Sequence, residues 1–233
     1  MIHLRGSILS VAASVALLAC ETADTNTPSG GTSTGSGGAE AQGGGGSSAV
    51  STFTVPNVGN PELEGHTPRG FQGMGTGLFA GDNLNPNFPE GDGVQLFLTF
   101  DLAAMSVPPG TVTRAELRTT HADVSGQPYA TLGSLRAAEM RFDAFSSSLW
   151  DQAPEPAGVD CEFASSEAGP FACDFAAAVQ RSIDEGRPYV QVRIRFDEPG
   201  DGDGQQDLAL FFITDSNTNE PGIFELVVDV SPE

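Results

Sequence analysis

Alternation of apolar and polar residues, recurring through the second half of the chain, sets the tightest limit on its fold. Val190, Val192, Ile194 and Phe196 fall on one side of an extended segment, and Gln191, Arg193 and Arg195 on the other. Successive side chains of a strand point to opposite faces, so such a segment buries one face and wets the other. Leu96, Leu98 and Phe100 alternate in the same way with Phe97, Thr99 and Asp101, as do Ala115, Leu117 and Thr119 with Glu116, Arg118 and Thr120. Phe224, Leu226, Val228 and Val230 keep the same phase near the C-terminus, and Leu208 to Ile213 is apolar on both faces, the pattern of a central strand. Turn residues separate these runs: Val107-Pro-Pro-Gly110, and the stretch Asp197 to Asp207 with Pro199, Gly200, Gly202 and Gly204. One segment has helical spacing. Phe175, Val179 and Ile183 share a helix face, Asp174 precedes it as a cap, and Gly186 and Pro188 end it. Residues 53–233 are enough for one domain with a sizeable core. The expectation is an all-β, jelly-roll-type two-sheet β-sandwich with one short helix.

The N-terminal part has a different character. Ile8 to Ala19 is a run of twelve Ile, Leu, Val, Ala and Ser residues, too short to span a bilayer as a helix but suited to a signal-peptide core. It closes with Leu17-Leu18-Ala19-Cys20, which resembles the lipobox of bacterial lipoproteins. The resemblance implies cleavage before Cys20 and a diacylglycerol on its thiol, hence a membrane partner through that anchor. The alternative is an ordinary signal peptide with an incidental cysteine. Glu21 rather than Asp follows the cysteine, which by the same resemblance favours the outer membrane or cell surface over the inner membrane. Residues 20–52 are rich in Gly, Ser and Thr and nearly free of apolar side chains, so no core offsets the cost of ordering them. They read as a disordered tether with a span of roughly 30 Å. The expected organisation is a signal peptide over 1–19, the lipidated cysteine and tether over 20–52, and the β-sandwich over 53–233.

Charge excludes some partners. With residues 1–19 removed, 31 acidic residues face nine arginines and no lysine, a net charge of about −22. Nucleic acid and anionic lipid headgroups need clustered cations and are not expected to bind. Cys161 and Cys173 are then the only remaining thiols, and in an oxidising compartment they are expected to pair, contributing roughly 2–3 kcal/mol by loop closure. His-Glu-x-x-His, Gly-x-Ser-x-Gly and phosphate-cradling glycine motifs are absent from the sequence, and an enzyme is not expected. His66 and His121 are the remaining histidines, and His121 reads as packing or facing solvent.

Two weaker candidates remain. Between Asp197 and Asp207 the chain packs five carboxylates among glycines, and calcium takes six to eight hard oxygen ligands. Gln205 and Gln206 stand where an EF-hand beginning at Asp201 needs a ligand and a glycine. Asp197, Asp201, Asp203 and Asp207 are therefore candidate calcium ligands outside that motif, with an exposed acidic hairpin as the alternative. Trp150, the one tryptophan, lies in a turn-rich stretch, where it reads either as a platform for a sugar ring or as a plug at one end of the core. Tyr189 reads as the start of a strand.

Three ordered blocks carry a further resemblance: Phe79-Ala-Gly-Asp82-Asn, Val94-Gln-Leu-Phe-Leu-Thr-Phe-Asp-Leu102 and Val107-Pro-Pro-Gly-Thr-Val-Thr-Arg-Ala-Glu-Leu117. With Asp174-Phe-Ala-Ala-Ala-Val-Gln, Tyr189 to Phe196, Asp203 to Asp207 and Pro221 to Val230, they resemble the DNRLRE-like surface module of bacteria over about residues 70–231. The resemblance implies a jelly roll on exported proteins, often beside carbohydrate-active domains, with carbohydrate binding in some relatives and no fixed ligand motif. The expected function is a non-catalytic, lipid-anchored envelope module for adhesion or carbohydrate binding, its partner a glycan or an envelope protein. The alternatives are a structural or protein-interaction surface module without a small ligand, and then a polysaccharide-active enzyme.

Overall fold

The computed structural model describes residues 49–69, 75–85, 88–211 and 221–232. The expected signal peptide, Cys20 and the tether as far as residue 48 lie outside them, as do residues 212 and 213 of the apolar run. Among the described residues no helix is long and apolar enough to cross a membrane. In chain order the strands are β1 (Ser51–Pro56), β2 (Gly65–Pro68), β3 (Phe79–Asn85), β4 (Phe88–Asp101), β5 (Thr111–Thr119) and β6 (Asp123–Ser125). They continue with β7 (Leu135–Met140), β8 (Asp160–Ala164), β9 (Ala172–Asp174), β10 (Tyr189–Phe196), β11 (Asp207–Leu210) and β12 (Phe224–Ser231). Two short α-helices, α1 (Pro128–Thr131) and α2 (Ala176–Asp184), and a 3-10 turn at Ser147–Asp151 lie between them.

The strands form two antiparallel sheets, one of four strands in the order β1-β12-β5-β9 and one of eight. The larger runs β6-β11-β3-β4-β10-β7-β8, with β2 also paired to β4. The chain crosses between the sheets repeatedly, at β1 to β2, β4 to β5 and β5 to β6, then at β8 to β9, β9 to β10 and β11 to β12. Strand β1 begins at Ser51, so Ser51 and Thr52, assigned to the tether by composition, instead pair with Val230 and Asp229. The alternation places Val190, Val192, Ile194 and Phe196 of β10 against Leu226, Val228 and Val230 of β12 in one buried core. Helix α2 adds Val179 and Ala178 to it; its N-cap is Phe175 rather than the expected Asp174, whose Oδ1 accepts the Ala176 amide at 2.9 Å from one residue earlier. The unforeseen α1 starts at Pro128, whose fixed φ suits a first helical turn, and it is held from outside by Asp207.

The outer face of the larger sheet departs from the simple alternation. It is covered, and Phe97, Met140, Phe145 and Leu149 form a second cluster there, with Phe142 packed at its side. Gln191 and Arg193, polar by phase, are buried beneath this cover. Both amide atoms of Gln191 bond the Phe142 backbone at 2.9 Å, and Arg193 Nη1 donates to the Gln152 carbonyl at 2.9 Å. Burial is tolerated because the irregular segment supplies main-chain partners for these polar groups.

Two devices hold the two layers together, and an ion-pair cluster fastens α2 to the larger sheet. A disulfide joins Cys161 of β8 to Cys173 of β9, linking edge strands of opposite sheets. At the end of β1, buried Asn57 accepts the Gly222 and Phe224 amides at Oδ1, at 2.9 and 3.0 Å, and donates to Glu64 Oε1 at 2.8 Å. Buried Glu64 also accepts the Gly59 amide and, at 3.2 Å, the Thr99 amide of β4, so a polar clip runs from β12 to β4. Near α2, the buried Glu139 carboxylate lies 3.2 Å from Arg181 Nη1 and 3.7 Å from Arg187 Nη2.

Candidate functional site

Tyr189 lies where β10 begins, opposite Asp101 at the end of β4. It shares the strand phase of Gln191 and Arg193, the phase that points away from the core, but it lies beyond the cover that buries those two. Two segments form that cover here. Residues 57–64 lie over β4, where Val58 N bonds the Thr99 carbonyl and Thr99 Oγ1 bonds the Leu63 carbonyl. Residues 141–152 lie over β10 and are stitched to the first segment by Phe145 N and the Glu62 carbonyl at 2.8 Å. Each segment leaves an open cleft against the half-buried Tyr189. The first, about 260 Å³, is walled by Arg141, Phe142, Asp143, Arg187, Pro188 and Tyr189. The second, about 410 Å³, is walled by Asn60, Leu63, Asp101, Met105, Tyr189 and Pro221.

The polar groups around these clefts differ in how far they are committed. Gln191 has spent both amide atoms on Phe142. Asp101 Oδ1 accepts the Ala104 amide at 2.8 Å and Asn60 Oδ1 the Glu62 amide at 3.0 Å, which fixes both side chains while leaving the other polar atom of each for a ligand. Arg141 is exposed, with Glu185 at 3.7 Å, and Asp143 is exposed beside it. Met105 presents an exposed apolar side chain at the rim of the second cleft.

Trp150 is half-buried in the 3-10 turn, and its neighbour Leu149 is the residue that enters the second hydrophobic cluster. It therefore does not plug the end of the main core, and part of its indole faces solvent.

The acidic stretch is divided. Asp201, Asp203 and Asp207 bring carboxylate oxygens within 4.8 Å of one another. Asp197 is drawn elsewhere, accepting the Ser134 amide at 3.0 Å and lying 4.0 Å from Arg136. Within the cluster, Asp207 is buried and accepts Gln127 N at 2.5 Å and Thr131 Oγ1 at 2.9 Å. Asp201 accepts the Asp203 amide at 3.1 Å and Asp203 the Gln205 amide at 2.8 Å. The loop is seated by buried Asp82, which accepts the Asp201 and Gly202 amides. These carboxylates hold the β10–β11 connection in shape, and any cation would enter an already hydrogen-bonded frame.

Both histidines have structural surroundings. His66 Nδ1 donates to the Gly77 carbonyl at 2.8 Å, its ring stacks on Phe79 at 4.1 Å, and burial lowers its pKa against the opposing pull of that bond. His121 is exposed, 3.2 Å from Thr120 Oγ1. A further cleft of about 250 Å³ lies beside Val124, Pro128, Tyr129 and Glu167. There the Tyr129 ring meets Phe196 edge-on at 5.2 Å, and burial, with Glu167 nearby, raises its phenol above the ordinary value. Sequence reading passed over the Tyr189 clefts because their walls come from segments without periodicity. The available signal was an aromatic residue on the wet phase of β10, directly after Pro188. Comparison with protein-family models finds no match, and neither does comparison with curated proteins.

Proposed function

We propose that the chain is a non-catalytic, lipid-anchored binding module of the bacterial cell envelope, working in adhesion or carbohydrate recognition. The observation that carries this reading is the disulfide between β8 and β9, because a bond that closes a sandwich edge forms and persists in an oxidising compartment. The Leu17–Cys20 lipobox and the Gly-rich stretch after it support export and anchoring at the envelope. The resemblance of residues 70–231 to DNRLRE-like surface modules supports the same setting. Partly exposed Tyr189 supports carbohydrate as the ligand class, since an aromatic face offers a sugar ring an apolar platform. The strong net negative charge favours neutral glycans over acidic polymers.

Palmitate labelling in a bacterial host tests the anchor: label lost in Cys20→Ala supports it, and label retained overturns it. Binding of the mature chain to a glycan array tests the ligand class. A silent array together with specific recovery of one envelope protein would replace glycan recognition with the protein-interaction reading. Hydrolysis of a polysaccharide by the purified chain would overturn the non-catalytic reading.

A further inference from the structure

We infer that the two clefts meeting at Tyr189 form one groove for a neutral oligosaccharide chain, with Tyr189 as the platform at its middle; this rests on the carbohydrate reading above. Among the described residues Tyr189 is the one side chain that walls both clefts, so a ligand running from one to the other must cross its ring. The polar groups are distributed on both sides of that ring, Arg141, Asp143 and Arg187 in one direction and Asn60 and Asp101 in the other. An aromatic face takes the apolar side of a pyranose, while planar amide, carboxylate and guanidinium groups bond adjacent hydroxyls in pairs. A compact ligand would need only one cleft, whereas a chain of sugar units uses both. Together the clefts have the volume of an ordinary small-ligand site, yet they are open to solvent, as a chain that continues past the site requires. Pre-fixed Asn60 and Asp101 lower the ordering cost of binding. Arg141 and Arg187, the two cations of the first cleft, share Glu185 at 3.7 and 3.2 Å, Arg187 also lies 3.7 Å from Glu139, and Asp143 flanks them, so the groove offers no surplus cation for a uronate or sulfate.

The test uses the mature chain on an array of neutral β-glucan, mannan and xylan hexasaccharides alongside uronate and sulfated chains. The dissociation constants of hits are then measured for the native chain and for Tyr189→Ala, Asp143→Ala and Trp150→Ala. The expected result is binding of a neutral hexasaccharide weakened about tenfold or more by Tyr189→Ala, weakened by Asp143→Ala, and unchanged by Trp150→Ala. Asp143 is exposed, so its variant reports on the groove even if Tyr189→Ala loses its fold. Neutral-glycan binding lost in Trp150→Ala but kept in the folded Tyr189 and Asp143 variants would overturn the groove and leave the carbohydrate reading standing. Binding confined to uronate or sulfated chains would overturn the neutral ligand. A silent array would overturn carbohydrate recognition itself, and the groove with it.

Discussion

Removing the side chain of Asn57 is the sharpest test of how the two layers are fastened. Asn57→Ala deletes the bond to Glu64 Oε1 and both bonds accepted from Gly222 and Phe224. Water can reach the part-buried Gly222 amide, but the Phe224 amide and the Glu64 carboxylate oxygen are buried. Leaving the Phe224 amide unsatisfied costs about 1–3 kcal/mol, and Glu64, which keeps the Gly59 and Thr99 amides, loses one hydrogen bond to a charged group worth about 1.5–3 kcal/mol, so a loss of roughly 3–5 kcal/mol is expected. That is a large share of the roughly 5–15 kcal/mol that holds an ordinary domain, and it corresponds to a fall in melting temperature of roughly 10 °C. Asn57→Asp separates the two roles. It keeps the acceptor for Gly222 and Phe224 but replaces the donor to Glu64 with a second buried carboxylate. Like charges this close raise one folded-state pKa above its unfolded value, so the variant keeps more stability at low pH and loses it as pH rises. Urea melts of the mature chain at pH 5 and pH 8 measure both effects. An Asn57→Ala loss below about 1 kcal/mol would refute the clip as a fastening. So would an Asn57→Asp stability that is the same at both pH values.

Four other outcomes follow from the same structure. His66 is held with a lowered pKa, so its contribution is present above the unfolded value of 6.5 and declines as pH falls through 6.5 toward the folded value; melts between pH 5 and 7.5 should show this slope in the native chain and a flatter one in His66→Gln. Reducing the Cys161–Cys173 bond, or replacing both residues with serine, should cost roughly 2–3 kcal/mol, read as a lower urea midpoint, and mass spectrometry of unreduced protein from the envelope should find no free thiol there. Asp207→Ala should loosen α1 and cost about 1–3 kcal/mol in a urea melt. Because the acidic cluster is already hydrogen-bonded, the native melting temperature should be equal in calcium and in chelator, and a rise of several degrees with calcium would instead make Asp201, Asp203 and Asp207 ligands.

The regular part of the fold is legible in the chain because burying one face of a strand imposes a period of two, and β10 obeys it without a break, β12 with Val227 as its exception. Strands β6 and β9, three residues each, are too short for any period to register. Polarity also misleads at Gln191 and Arg193. Their phase says solvent, yet segment 141–152 covers them and supplies backbone partners for both amide atoms of Gln191 and for Arg193 Nη1. The same cause hid the Tyr189 clefts, since their walls are assembled by long-range contacts such as Phe145 to Glu62. Among the acidic residues, composition singled out a loop, but only tertiary contacts separate Asp197, turned to Ser134, from the three that cluster.

The position of β1 has a mechanical meaning. It is an edge strand, paired along its length to β12 alone, and it is where the described chain enters the domain. Tension applied ahead of Ser51 is therefore carried first by six residue pairs with β12. Directly beyond Pro56 the load reaches Asn57, which grips β12 and, through Glu64, β4 of the opposite sheet. A pull that strips the edge strand thus meets a stop at which both layers share the force, so the first strand can yield as a short extensible leader while the body that carries the clefts stays folded.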